Sequence, residues 1–80
     1  MTVKVMYFAR FREAAGCAEE QLPGSFPSIE AVRAFLLQRG DRDFLAEANL
    51  MCARNEELCS LAEPLAAGDE VAFFPTVTGG

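Results

Sequence analysis

The 80-residue sequence predicts an α+β fold in which one helix lies across one mixed sheet. Three observations lead there. Residues 2–9, TVKVMYFA, alternate β-branched and aromatic side chains as a strand does. Residues 29–36 place apolar side chains at helical spacing, the one long run that does so. Breaker clusters divide the rest into pieces of strand length.

In the first strand Val3, Val5 and Tyr7 share one face and Lys4, Met6 and Phe8 the other, which the lysine marks as wetter. RFREAAG has short helical character and stops at Gly16. AEEQL reads as a weakly patterned edge strand that ends in the breakers PGSFP. Ser28 then supplies an N-cap, and Glu30 in the first turn complements the helix dipole. Ile29, Val32, Phe35 and Leu36 form the apolar stripe, and Arg39 and Gly40 mark the helix end. DRDFLAEA is expected to make a helical turn with Phe44 and Leu45 inward. LMCAR and ELCSL read as strands around the polar turn at Asn55-Glu56. The connector AEPLAAGDE turns at Gly68-Asp69, and EVAFF is the last strand. The whole, residues 1–80, reads as one domain with a flexible Gly-Gly tail over about residues 75–80.

Composition limits the functions available. At 51% hydrophobic and 24% charged the chain folds, yet a domain this small buries only ~60% of its unfolded surface, which leaves few walls for an enclosed active site. A carrier, partner or module fits better than an autonomous enzyme. A net charge of −5, with Lys4 the only lysine, argues against nucleic-acid binding. The absence of histidine removes the commonest general base and metal ligand, so no metal site is expected. Cys17, Cys52 and Cys59 are odd in number and lack CxxC spacing, which favours free thiols, although Cys52 and Cys59 flank the expected hairpin turn. The N-terminal run reads as a strand and not a signal peptide, and no run approaches a membrane span, so a cytoplasmic location is expected.

The closing stretch AFFPTVTGG is the chemically distinctive part. Pro75 ends the strand ladder because it has no N–H. Gly79 and Gly80 contribute nothing to packing and cost the most entropy to order. Without Cβ atoms they can thread a narrow site on another protein and present the Gly80 carbonyl to attack. A carboxylate needs activation first, for which an acyl-adenylate made from ATP is the usual solution. The alternative is a chance terminus without a role. Phe8 and Phe74 fall by parity on the nominally wet face. They are either an apolar patch for a partner or residues covered by a loop or the sheet's twist.

Read as one unit behind this strand order, GDEVAFFPTVTGG resembles the ubiquitin-like sulfur-carrier family, and within it the small subunits of molybdopterin synthase. VKVMYFARFREAAG is similar to the family's opening strand and short helix, PSIEAVRAFL to its principal helix, and ARNEEL to its strand-turn-strand element. The resemblance implies a β-grasp fold, with first and last strands parallel at the sheet centre and Phe8 beside Phe74. It also implies a mechanism. An ATP-dependent adenylyltransferase, similar to ubiquitin-activating enzymes, would adenylate Gly80, and a sulfur donor would convert it to a thiocarboxylate. The large catalytic subunit, in a heterotetramer, would receive the tail so that the sulfur attacks a cyclic pterin precursor and builds the molybdopterin dithiolene. This chain itself would bind no cofactor; the ATP belongs to the activating enzyme. Gly80 and Gly79 would carry the transfer, Phe8, Arg12, Phe74 and Pro75 would dock, and Val77 and Thr78 would line the threaded tail. Arg12 also reads as a solvated helix charge. Thr76 stands where many relatives have a second proline, which is expected to loosen the tail. Two other roles stay open: a carrier for another sulfur acceptor, such as a cysteine-forming enzyme, and a ubiquitin-like protein modifier.

Overall fold

The structure, a computed structural model, describes residues 1–76. Strand β1 (Thr2–Tyr7) leads into helix α1 (Ala9–Ala15) and strand β2 (Glu19–Pro23). Helix α2 (Ile29–Arg39) and a 3-10 turn (Asp43–Ala46) follow, then β3 (Met51–Arg54), β4 (Glu57–Cys59) and β5 (Glu70–Phe74). The sheet order is β2-β1-β5-β3-β4. β1 and β5 run parallel at the centre, with Val5 opposite Val71 and Tyr7 opposite Phe73. Every other pairing is antiparallel. With α2 packed on one face, this is the β-grasp arrangement that the resemblance implies.

Strand alternation explains the core. Val3, Val5 and Tyr7 of β1, Val71 and Phe73 of β5, and Cys52 of β3 all point to the α2 side and are buried. Ile29, Val32 and Leu36 meet them from α2, with Phe11, Leu22 and Leu45 closing the ends. Each such aliphatic or aromatic side chain contributes about 1.5–3 kcal/mol by leaving water. Phe35 is the exception to the expected stripe: it is 43% exposed and packs edge-on against Phe26, ring centres 5.5 Å apart. Residues 29, 32 and 36 already line the sheet-facing side, and Phe35 lies roughly 100° around the helix from Leu36.

The helix ends obey their local chemistry. Ser28 Oγ accepts from the Ala31 N–H at 3.2 Å, and Gly40 closes α2 at φ 91°, a left-handed conformation that a Cβ would strain. An ionic knot then ties the end of α2 to the sheet. Tyr7 Oη donates to Glu20 at 2.6 Å, and Arg39 and Arg42 both donate to the same carboxylate. The β3–β4 hairpin turns through Asn55 and Glu56, both at positive φ (47° and 71°), the two-residue geometry whose twist suits paired strands.

Candidate docking face and tail root

The sheet face away from α2 has no element covering it in residues 1–76. Its parity set is Lys4, Met6 and Phe8 from the β1 side, Ala72 and Phe74 from β5, Met51 and Ala53 from β3, and Leu58 from β4. Lys4 makes one end of this face polar, as expected, through ion pairs to Glu19 at 3.3 Å and Glu70 at 3.6 Å. The rest is apolar. Met6, Phe8, Ala53, Leu58, Ala72 and Phe74 line one shallow groove, with Glu56 and Glu70 at its rim. Of the five large hydrophobic residues exposed among the described residues, three, Phe8, Met51 and Leu58, belong to this face. A contiguous apolar surface rimmed by acids is the signature of an interaction site, not of random exposure.

Phe8 continues β1 in extended geometry, its N–H donating to the Phe73 carbonyl at 3.3 Å. That register sets its ring beside Phe74, stacked at 4.7 Å between centres and 8° between planes. Ala9 then adopts φ 53° and turns the chain into α1, an uncommon conformation for a Cβ-bearing residue directly beside the stack. The two phenylalanines form a patch, and among the described residues no loop covers Phe8, which is 37% exposed.

Arg12 lies exposed on α1. Lys4 and the five other arginines each pair with a carboxylate; among the described residues Arg12 has no such partner. It therefore offers a cation to an incoming anionic group without breaking an ion pair to any described residue.

The last described residues leave β5 beside these groups. Pro75 and Thr76 are half-buried. The Thr76 N–H donates to Glu47 Oε2 at 2.8 Å, and its hydroxyl donates to the carbonyls of Ala48 at 3.1 Å and Asn49 at 3.0 Å. Glu47 is held in turn by Arg10, through Nη1–Oε1 at 2.6 Å and Nη2–Oε2 at 2.9 Å. The Arg10 hydrogen bonds, then the Thr76 amide, hold the Glu47 carboxyl down at about 2. Thr76 thus tethers the root of the tail, the reverse of the loosening expected from a missing proline, because threonine restores two donors that proline lacks.

The structure brings together Phe8, Phe74 and Pro75, with Arg12 on the adjoining helix. Val77, Thr78, Gly79 and Gly80 lie outside the described residues. Met51 and Leu58 extend the face beyond the residues expected from sequence. Their signal was the register of β3 and β4, which puts Met51 opposite Phe74 and Leu58 opposite Ala53. Glu47 carries no local signal, standing 29 residues from Thr76. Among the described residues no three potential metal ligands converge, and no helix is long and apolar enough to cross a membrane.

Comparison with known proteins covers the whole chain. The molybdopterin synthase sulfur carrier subunit of Escherichia coli K12 is 44% identical over 80 residues, 98% of this chain and 99% of that one. Small archaeal modifier protein 1 of Haloferax volcanii is 42% identical over 65 residues, 81% of this chain and 68% of that protein. Among solved structures, a complex of subunits 1 and 2 of the molybdopterin-converting factor from Helicobacter pylori contains a chain that superposes with TM-score 0.68 at 26% identity, covering 100% of both chains. The ThiS family model matches residues 5–80, tail included, and the chain belongs to the ThiS family.

Proposed function

We propose that this chain is the sulfur-carrier subunit of a molybdopterin synthase. The observation that carries the reading is the full-length similarity to the Escherichia coli carrier, with the stacked Phe8–Phe74 pair on an uncovered apolar face beside the root of a Gly-Gly tail. The Gly80 carboxylate attacks the α-phosphorus of ATP on an activating enzyme and expels pyrophosphate. A hydrosulfide-equivalent donor then forms the C–S bond and displaces AMP, leaving a thiocarboxylate. In the large subunit, which docks on the Phe8–Phe74 face, that sulfur attacks an oxygen-bearing electrophilic carbon of the pterin precursor. The C–S bond forms as the C–O bond breaks and the oxygen leaves, protonated, with no change of oxidation state. Water cleaves the acyl–sulfur bond and returns the Gly80 carboxylate, and a second carrier delivers the second sulfur. Arg12 pairs with an acid of the partner, Pro75 directs the tail, and Val77, Thr78 and Gly79 line the threaded segment. Enclosure in the partner protects the thiocarboxylate from water. Cytoplasmic heterotetramers, two carriers on two large subunits, suit the two transfers each dithiolene requires.

The test is the C-terminal fragment mass of the protein after incubation with its activating enzyme, ATP and a sulfide source. Exchange of one oxygen for sulfur at Gly80, followed by dithiolene formation with the large subunit, is the expected result. A Gly80 that stays a carboxylate throughout overturns the proposal. Similarity to the small archaeal modifier protein favours a second reading, attachment of Gly80 to target lysines. That reading predicts isopeptide-linked Gly80 in cell lysates. Chains of the modifier would be scarce, because Lys4 is the only lysine and is paired on both sides.

A further inference from the structure

We propose that Glu47, braced by Arg10, is a positioning residue that clamps Thr76 and so sets the point from which the tail is delivered to the activating enzyme. The inference rests on the carrier reading above. Its geometry is built from three separate parts of the chain: Arg10 on α1, Glu47 after the 3-10 turn, and Thr76 after β5. The Arg10 guanidinium grips both oxygens of Glu47 side by side, which orients the carboxylate as a single chain-end bond would not. Oε2 then takes the Thr76 N–H, while the Thr76 hydroxyl reaches the two successive carbonyls of Ala48 and Asn49. Asn49 bends the segment at φ 61° on its way into β3, so the loop that carries the acceptors is itself fixed by the sheet.

None of these bonds serves the hydrophobic core, from which Glu47 and Thr76 are both absent. Their consequence falls on the tail. From a fixed Thr76 the four residues to Gly80 reach at most roughly 14 Å, whereas a tail free from the end of β5 at Phe74 has six residues and reaches roughly 21 Å. The volume open to the terminus grows about threefold, and its effective concentration in a partner's site falls in proportion. Further loss follows because Pro75 and Thr76 must then be ordered on binding. The clamp acts on delivery and not on the acyl chemistry, so it separates KM from kcat.

The experiment uses the full chain with its activating enzyme, reading ATP–pyrophosphate exchange as carrier concentration varies, together with NMR hydrogen exchange of the Thr76 amide. Glu47→Ala and, independently, Arg10→Ala should raise KM for the carrier about three- to tenfold with kcat within about twofold. The Thr76 amide should exchange at least about tenfold faster while the amides of β1 and β5 keep their protection, which shows the domain still folded. Thr76→Ser, which keeps both donors, should retain the parent's KM where Thr76→Pro does not. An unchanged KM in Glu47→Ala, or a Thr76 amide still protected in it, overturns the clamp. A parent chain that is not adenylated at all overturns the carrier reading instead, and with it the delivery role.

Discussion

Replacing Leu58 by alanine removes a side chain that is 67% exposed on edge strand β4, so its effects on docking and folding can be read apart. Full burial of a leucine contributes about 1.5–3 kcal/mol. The third of Leu58 already buried then accounts for about 0.5–1 kcal/mol of fold stability, which in a domain of this size lowers Tm by about 2–8 °C. The exposed two thirds is what a partner lying in the groove of Met6, Phe8, Ala53, Ala72 and Phe74 would cover. Its loss should weaken binding by about 1–2 kcal/mol, or about 5- to 30-fold in Kd. Titration calorimetry of the large subunit with Leu58→Ala, at a temperature well below Tm, measures this directly. A Kd within about twofold of the parent's would show that the partner stops short of β4, and the open face as a whole would lose its assignment as the docking surface.

Three further outcomes follow from the geometry. Glu56 sits at φ 71° in the hairpin turn, where a Cβ costs about 1–2 kcal/mol; Glu56→Gly relieves it, less the entropy glycine adds to the unfolded chain. A net gain of about 0.5–1 kcal/mol should raise Tm by about 2–8 °C in a thermal melt, and a fall in Tm would refute the strain. Burial by itself would raise the Glu20 carboxyl, but hydrogen bonds from Arg39 and Tyr7 and the charge of Arg42 overcome it and hold the group at about 2. Because that value lies below the ordinary 4.5, the stability it contributes is complete above 4.5 and is lost as pH falls toward about 2. Urea midpoints should therefore drop over that window in the parent, and more shallowly in Glu20→Gln; parallel curves would exclude the knot as the cause. Burial, and after it the neighbouring Cys59, pushes the Cys52 thiol up to about 12. Under native conditions at about pH 8, iodoacetamide should modify Cys17 and Cys59 well before Cys52, and equal labelling by mass spectrometry would contradict this burial.

What was legible in the sequence was whatever depends on near neighbours. The β1 alternation of Val3, Val5 and Tyr7, the Ser28 cap, the Asn55-Glu56 turn and the Gly40 stop all proved right, because strand parity, capping and turn geometry act over a few residues. The same local logic put Phe8 and Phe74 on one face and singled out the Gly-Gly tail. Phe35 misled because an apolar residue at a helix edge satisfies the pattern whether or not the sheet reaches it. The parallel pairing of β1 with β5 came from the resemblance and not from periodicity, since alternation is blind to which strands are neighbours.

The sequence by itself therefore determined the elements, three of the four residues of the packing helix face, and where β5 ends. Tertiary structure alone decided three things. It joined Met51 and Leu58 to the Phe8–Phe74 patch, because cross-strand register is a long-range choice. It left Arg12 without a carboxylate among the described residues while the other cations found theirs, because ion pairs form between segments whose sequence separation carries no information. And it made Thr76 a tether instead of a loose joint, because the acceptors that hold it, Glu47, Ala48 and Asn49, lie some 27 to 29 residues earlier and meet it only once the sheet has closed.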